Sequence, residues 1–466
     1  MGPELNNVIL LADSYKISHH LQYPPGTTRV YSYFESRGGK YDKTVFFGLQ
    51  YILKKWLVGQ VLNQQMIDEA EIILNRHFKG AKLFNREGWE YILHEHKGRL
   101  PLRIRAAPEG SVLPTKNVLF SVENTDPKVP WLTNYVETVL VQTWYPTTVA
   151  TGSYFQKLKI AEYLSETAES MDKLPIMLHD FGYRGSSSVE SAGIGGLAHL
   201  VNFEGSDTLA ALFTAEKYYG ENNAAFSVPA TEHSTMTSWG RDGESAAVRY
   251  IMDKVPTGPI SIVSDSYDIF NMVEHIMGEE LKEKIESRDG VLIVRPDSGE
   301  PSEMVLKTLN LIGEKFGYTV NSLGYRVLPP YISVVQGDGI CYESLEKILK
   351  VMKENRWSAE NLCFGSGGAL LQKMDRDTQK CAYKCSYVEV DGKGIDVFKD
   401  PVTDHKKKSK KGRLVLIKQD GEFQTVREEE TTQEDEMFLV FENGELVKDW
   451  SLSEVRARAW SRKSKD

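Results

Sequence analysis

A chain of 466 residues with 41% hydrophobic and 26% charged residues has ordinary soluble-globular composition and is long enough for two or three domains with large cores. Its 56 basic and 65 acidic residues give a formal net charge of −9, which argues against a general nucleic-acid or membrane-surface binder, so an anionic ligand must be held by local positive charge. Four cysteines make neither a disulfide scaffold nor a zinc cluster, no apolar run approaches the roughly 18 residues that span a bilayer, and residues 8–12 are too short for a secretion signal, so a cytoplasmic protein is expected.

In chain order, residues 1–147 read as α+β. Residues 28–35, 102–106 and 118–122 alternate as half-buried antiparallel strands do, Asn124-Thr125-Asp126-Pro127 marks a turn, and residues 131–143 fit an amphipathic helix. From 148 to 384, after a helix-like segment at 153–169, the texture changes to short apolar runs that end abruptly in charge and glycine, most of them followed by helix-like segments such as 267–286 and 342–354. Seven such junctions occur, within residues 176–185, 201–208, 226–234, 259–266, 291–299, 331–339 and 361–368. That period is the period of βα units, one short of a complete eight-stranded barrel. Past 384 the chain returns to alternation and hairpin signals, at Asp391-Gly392 and Asp420-Gly421. The fold class expected is α/β: an incomplete (β/α) barrel over 148–384, inserted in a mostly β, α+β domain built from 1–147 and 385–466.

The ends of parallel strands are where α/β folds bind ligands. They would present His179, Asp180, Arg184, Asp207, His233, Asp265, Arg295, Asp297, Asp338 and the glycines of Gly365-Ser366-Gly367-Gly368. Guanidinium groups and close-packed backbone amides suit phosphate oxygens, and carboxylates suit sugar hydroxyls or a magnesium ion carrying those phosphates. Each motif alone is as readily a turn or a helix cap, and the glycine loop lacks the Lys and Ser/Thr of a Walker loop. In series they point to a phosphorylated sugar.

Taken together, His179-Asp180-Phe181-Gly182-Tyr183-Arg184-Gly185, Gly205-Ser206-Asp207-Thr208, Ser227-Val228-Pro229-Ala230-Thr231-Glu232-His233-Ser234, Val263-Ser264-Asp265-Ser266-Tyr267-Asp268, Arg295-Pro296-Asp297-Ser298-Gly299, Gln336-Gly337-Asp338-Gly339 and Phe364-Gly365-Ser366-Gly367-Gly368 resemble the nicotinamide phosphoribosyltransferase family, as does Asp13-Ser14-Tyr15-Lys16. The likeness runs in order through Val397-Phe398-Lys399-Asp400-Pro401 and weakens only toward the end of the chain. It implies transfer of a phosphoribosyl group from 5-phosphoribosyl 1-pyrophosphate (PRPP) to nicotinamide, giving nicotinamide mononucleotide (NMN) and pyrophosphate for NAD salvage. It also implies Mg2+ as cofactor, ATP as co-substrate and a homodimer with shared sites, and it assigns no magnesium ligand.

Carried over by motif, the resemblance implies that Phe181 and Tyr15 of a partner subunit sandwich the pyridine ring, with Asp207 and Ser261 at its amide. Nicotinate would bring a second negative charge to Asp207, a repulsion of about 4 kcal/mol at roughly 4 Å and an effective dielectric of about 20. Arg184 and Arg295 would bind phosphate or pyrophosphate, Asp297 the ribose, and Gly337, Asp338, Gly367 and Gly368 the 5-phosphate and ribose. His233 would accept the γ-phosphate of ATP, with Glu232 or Asp265 orienting its ring, and Arg37, Arg376, Lys384, Lys399 and Lys407 would lie at the phosphate edge. The chain departs from the family pattern at Thr231, Ala369 and Ala382 and in a shorter loop after Arg37, which bears on ATP affinity. The alternatives are a nicotinate phosphoribosyltransferase on the same fold and a non-catalytic secreted signalling protein. A barrel aldolase lacks a strand-end lysine for a Schiff base.

Overall fold

In the computed structural model, which describes residues 6–400 and 409–460, the chain divides into two units. The first comprises Met1–Thr151, Lys217–Gly220 and Asp375–Asp466, and the second Gly152–Glu216 and Glu221–Met374. The second unit thus ends before the expected boundary at 384. The reason is strand pairing: Cys381–Val390 runs antiparallel beside Thr27–Ser36, which draws the residues leading into it to the first unit. The short stretch Lys217–Gly220 also groups there, where the Tyr219 hydroxyl donates to the buried carboxylate of Glu109 at 2.7 Å.

The main sheet of the first unit is antiparallel at every pairing. Its order among the described residues is Lys393–Asp396, Cys381–Val390, Thr27–Ser36, Val118–Asn124, Leu102–Ala106, Phe438–Glu442 and Glu445–Leu446. Only Leu102–Ala106 shows the half-buried alternation expected of all three early strands; Val118–Asn124 is buried throughout. Polar residues on the second face are tied down rather than solvated. Glu123, for example, takes Arg413 at 2.8 Å and Arg29 at 3.3 Å. Both hairpin signals form turns, with Asp391 and Gly392, and Asp420 and Gly421, at positive φ as a type I′ turn demands. The expected helix over 131–143 is instead two short helices, Leu132–Tyr135 and Glu137–Val141.

In the second unit the apolar runs become six parallel strands: β1 (Leu178–Asp180), β2 (Gly205–Ser206), β3 (Ile260–Val263), β4 (Leu292–Arg295), β5 (Ile332–Gln336) and β6 (Leu362–Ser366). They pair in the order β2, β1, β6, β5, β4, β3. The seventh run, around Phe226 to Thr231, is too irregular to be a strand, with Pro229 in its middle. It still bridges both sheet edges in parallel, Phe226 to Gly205 at β2 and Ala230 to Ser261 at β3. Hydrogen bonds from Phe226 N to Glu204 O (2.9 Å), Ser206 N to Phe226 O (3.2 Å), Thr231 N to Ser261 O (2.9 Å) and Ser261 N to Pro229 O (2.9 Å) hold this seam. Six strands plus one seam close the incomplete barrel that the sequence leads one to expect.

Helices follow the strands, among them Val189–His199, Glu244–Lys254, Pro301–Phe316 and Tyr342–Glu354. The one expected over 267–286 is broken into Ile269–Asn271, a π-helical Met272–Glu280 and Lys282–Glu286, entered through an Asp268 cap on Phe270 N at 2.9 Å. No helix among the described residues is long and apolar enough to cross a membrane.

Thr231 contributes more than backbone to the seam. Its buried hydroxyl accepts from Val263 N at 2.8 Å, taking the place of a strand carbonyl. Thr231→Ala strips that buried amide of its partner and should lower unfolding free energy by about 1–3 kcal/mol, while Thr231→Ser should recover most of it. Urea denaturation of the three proteins checks this.

Candidate active site

Because the strands are parallel, their carboxyl ends open together, and the loops that follow meet there. At the end of β1 the chain turns through Phe181, whose N donates to Ser366 O of β6 at 2.9 Å. The Phe181 ring lies flat enough on β6 that a Cβ on Gly365 would sit 2.0 Å from its Cε2. Only glycine fits under this ring. A Cβ on Gly337, after β5, would lie 3.4 Å from the same ring and 3.6 Å from Asp297 Oδ1, so Gly337 sits between the two. Gly185 abuts Gly368, with 3.1 Å between a Cβ on the former and the Cα of the latter, which brings the Arg184 turn to the Gly367-Gly368 loop.

A second cluster adjoins through Asp297. His233 begins the helix His233–Thr237, and its Nε2 lies 3.1 Å from Asp265 Oδ1 and its Nδ1 3.9 Å from Asp297 Oδ2. The second Asp265 oxygen accepts from Asp297 N at 3.0 Å and from the Ser298 hydroxyl. Burial alone would raise the Asp265 carboxyl, but the hydrogen bonds from Ser298, His233 and Asp297 N outweigh it and hold it below the usual range. Glu232, the other residue considered for orienting His233, instead accepts from the Ser234 hydroxyl on its own helix. Arg295, at the end of β4, lies 3.8 Å from Asp297 through Nη2, while its buried Nε has no hydrogen-bond partner among the described residues. A buried, unsatisfied guanidinium donor beside a carboxylate calls for an anionic ligand.

On the other side of β1, Asp207 follows β2 and is exposed, with Ser227 of the seam donating to its Oδ1. His179 packs edge-on against Phe226 with 5.8 Å between ring centroids; burial lowers its pKa and Asp207 opposes that shift. Ser261 lies buried in β3 against the seam. Asp338 is exposed in the loop after β5, next to Gly337.

Phe181, Arg184, Asp207, Ser261, His233, Asp265, Arg295, Asp297, Gly337, Asp338, Gly367 and Gly368 therefore all belong to the second unit, at or just beyond its strand ends. Tyr15, Arg37, Arg376, Lys384 and Lys399 belong to the first unit, and Lys407 lies outside the described residues. Tyr15 is 57% exposed. Burial depresses Lys384, Glu137 opposes that shift, and Arg37, Arg376 and Lys16 add to it, so these four cations share one neighbourhood with a carboxylate. Sequence reasoning did not single out Ser227 and Ser298, the hydroxyls that fix two carboxylates of the site, since a serine in a loop has no signature. Among the described residues no group of three His, Cys, Asp or Glu side chains could hold a metal ion.

Known proteins resemble this chain along most of its length. Residues 176–445 match the nicotinate phosphoribosyltransferase (NAPRTase) family and residues 7–104 the nicotinamide phosphoribosyltransferase N-terminal domain. A nicotinamide phosphoribosyltransferase of Xanthomonas campestris pv. campestris is 47% identical over 98% of both chains, and one of Acinetobacter baylyi 33% identical over 97% of both. Among solved structures, a nicotinate-nucleotide pyrophosphorylase from Pyrococcus furiosus has a TM-score of 0.62 at 16% identity, covering 98% of this chain and 96% of its own. Human nicotinic acid phosphoribosyltransferase has 0.57 at 16%, covering 97% and 93%; at these identities the likeness is one of fold.

Asp180, at the end of β1, is wholly buried, and burial pushes its carboxyl up to about 6. With the folded value above the unfolded one, the native state holds the extra proton between about pH 4 and pH 6, so the stability this group allows falls as pH rises through that window. At neutral pH the cost is on the order of 3 kcal/mol. Asp180→Asn cannot ionise and should lack that fall: its unfolding free energy relative to wild type should rise between about pH 4.5 and pH 7.5, as paired denaturant titrations will show.

Proposed function

The chain belongs to the nicotinate phosphoribosyltransferase family, and from that membership we propose that it joins nicotinamide to PRPP, releasing NMN and pyrophosphate, in NAD salvage. The observation that carries the site assignment is the convergence of Phe181, Gly337, Asp297, His233 and Asp265 into one contiguous set at the barrel's strand ends. Nicotinamide packs on the free face of Phe181, with its amide toward Asp207 and Ser261. Tyr15 of the partner subunit covers the opposite face in a homodimer; its exposure on the first unit supports that role.

Arg184 and Arg295 hold the pyrophosphate, and the unsatisfied Nε of Arg295 gains an acceptor from it. The backbone of Gly367 and Gly368, with Gly337 and Asp338, receives the 5-phosphate and ribose, where the Cβ position of Gly368 faces open space. The bond from ring nitrogen to anomeric carbon forms as the bond from that carbon to the pyrophosphate oxygen breaks. Positive charge gathers on the sugar, and Asp297 stabilises it. Mg2+, when bound, would neutralise the leaving pyrophosphate; the scattered carboxylates fit an ion that arrives on phosphates and keeps its waters, with Asp297 and Asp338 the residues that would hold it.

ATP hydrolysis is coupled through His233. Asp265 accepts a hydrogen bond from Nε2–H, which fixes the tautomer and leaves the Nδ1 lone pair to attack the γ-phosphorus: the N–P bond forms, the O–P bond to ADP breaks, Asp265 stabilises the positive ring that results, and water later cleaves the phosphohistidine. Arg37, Arg376 and Lys384, which share one neighbourhood of the first unit, are assigned with Lys399 and Lys407 to phosphate contacts.

Two variants test the reading. Asp207→Asn should narrow the preference for nicotinamide over nicotinate by at least tenfold in kcat/KM; wild-type protein that uses both equally would sink the assignment of Asp207. His233→Ala should lose ATP hydrolysis while retaining part of its phosphoribosyl transfer, measured as NMN formed without ATP. Equal and complete loss of both would mean that the histidine does more than carry phosphate.

A further inference from the structure

The buried carboxylate Asp180 is used by none of the steps above, and the fold keeps it ionisable at a cost in stability. Its surroundings say what it does. Oδ1 accepts from Gly182 N at 2.7 Å, inside the turn that carries Phe181 and Arg184. Oδ2 accepts from the Ser206 hydroxyl at 3.4 Å, and the same hydroxyl accepts from Thr208 N at 3.0 Å, so the Ser206-Asp207-Thr208 loop is tied to it from both sides. The main-chain carbonyl of Asp180 accepts from Asp207 N at 3.0 Å. Behind it the helix Val189–His199 closes in, since a Cβ on Gly196 would lie 2.9 Å from Oδ2 and 3.2 Å from Thr208 Cγ2. The charged group that acts on it is Asp207 itself, which pushes its pKa further up.

We propose that Asp180 is the positioning residue of the base site: one carboxylate that locks the aromatic wall, through Gly182, to the amide-reading wall, through Ser206, and so fixes the gap between Phe181 and Asp207. This rests on the assignment of Phe181 and Asp207 to nicotinamide. A neutral amide at this position keeps the bond from Gly182 N but turns an NH2 toward Ser206. The serine proton then has no charged acceptor there, and of the two ties between the Asp207 loop and residue 180 only the main-chain one, from Asp207 N, is left, while the Phe181 loop keeps its own. Rigid placement of a flat heterocycle between two walls is a requirement of ground-state binding and of attack geometry at the base, and it leaves the phosphate contacts untouched.

The test is steady-state kinetics on the full-length Asp180→Asn and Ser206→Ala proteins at pH 7.5, with melting temperatures measured alongside. Each should raise the KM for nicotinamide about tenfold, as loss of one charge-assisted hydrogen bond would, with the KM for PRPP within twofold of wild type. Asp180→Asn should melt no lower than wild type, and the double variant should be no worse than the poorer single one, because both cut the same link. A nicotinamide KM within twofold of wild type in both variants overturns the proposal. So does an equal loss for both substrates accompanied by a lower melting temperature. Phe181→Ala and Asp207→Asn separate the two levels of argument: if neither moves the nicotinamide KM, the base-site assignment itself is at fault, whereas if they move it and Asp180→Asn and Ser206→Ala do not, only the positioning role falls.

Discussion

Parallel pairing is the constraint on which the rest of the second unit depends. Strands that all run one way put all their carboxyl ends on one side, so loops far apart in sequence are forced into one another's company without needing affinity for each other. The pairing is completed by an unlikely piece of chain. The seam around Pro229 cannot supply a full ladder, yet four backbone hydrogen bonds and the Thr231 hydroxyl join it to both edges of the sheet. It also carries Ser227 at one end and leads directly into His233 at the other. Barrel closure and site assembly are the same event in this molecule.

Electrostatics in the site follow from the same geometry. A chain of net charge −9 has no general attraction for phosphates, and its solution is local. Three of its carboxylates are restrained: Asp265 by three donors, Asp207 by Ser227, Asp180 by Gly182 and Ser206. Restrained carboxylates keep their orientation when charge changes nearby, so little reorganisation is needed. Arg295, beside Asp297, is left with an unmet buried donor among the described residues.

Much of this was legible in the amino-acid sequence. An unbroken apolar run ending in Arg295-Pro296-Asp297-Ser298-Gly299 can hardly be other than a buried parallel strand and its loop, and seven such runs announce a barrel. The helix Tyr342–Glu354 has the bounds its periodicity predicts. What was not legible depends on tertiary pairing. The end of the second unit was misplaced because nothing in Cys381-Ala382-Tyr383-Lys384 states that its partner is Thr27–Ser36, and the early strands read as half-buried because alternation does not reveal a second layer of ion pairs above Glu123. Asp265 rather than Glu232 holds His233 because the helix turns Glu232 toward Ser234, a matter of side-chain direction that spacing alone leaves open.

The pairing of Thr27–Ser36 with Cys381–Val390 has a consequence for how the molecule is made. A ribosome delivers the first of these strands long before the second, so the central sheet of the first unit lacks a neighbour for most of translation. The barrel is under no such restriction, because all six of its strands and its seam have emerged by Ser366. Nascent chains should therefore acquire the inserted unit first and keep the leading segment waiting, with its apolar strand Val118–Asn124 in need of protection, until the trailing segment arrives to complete the sheet.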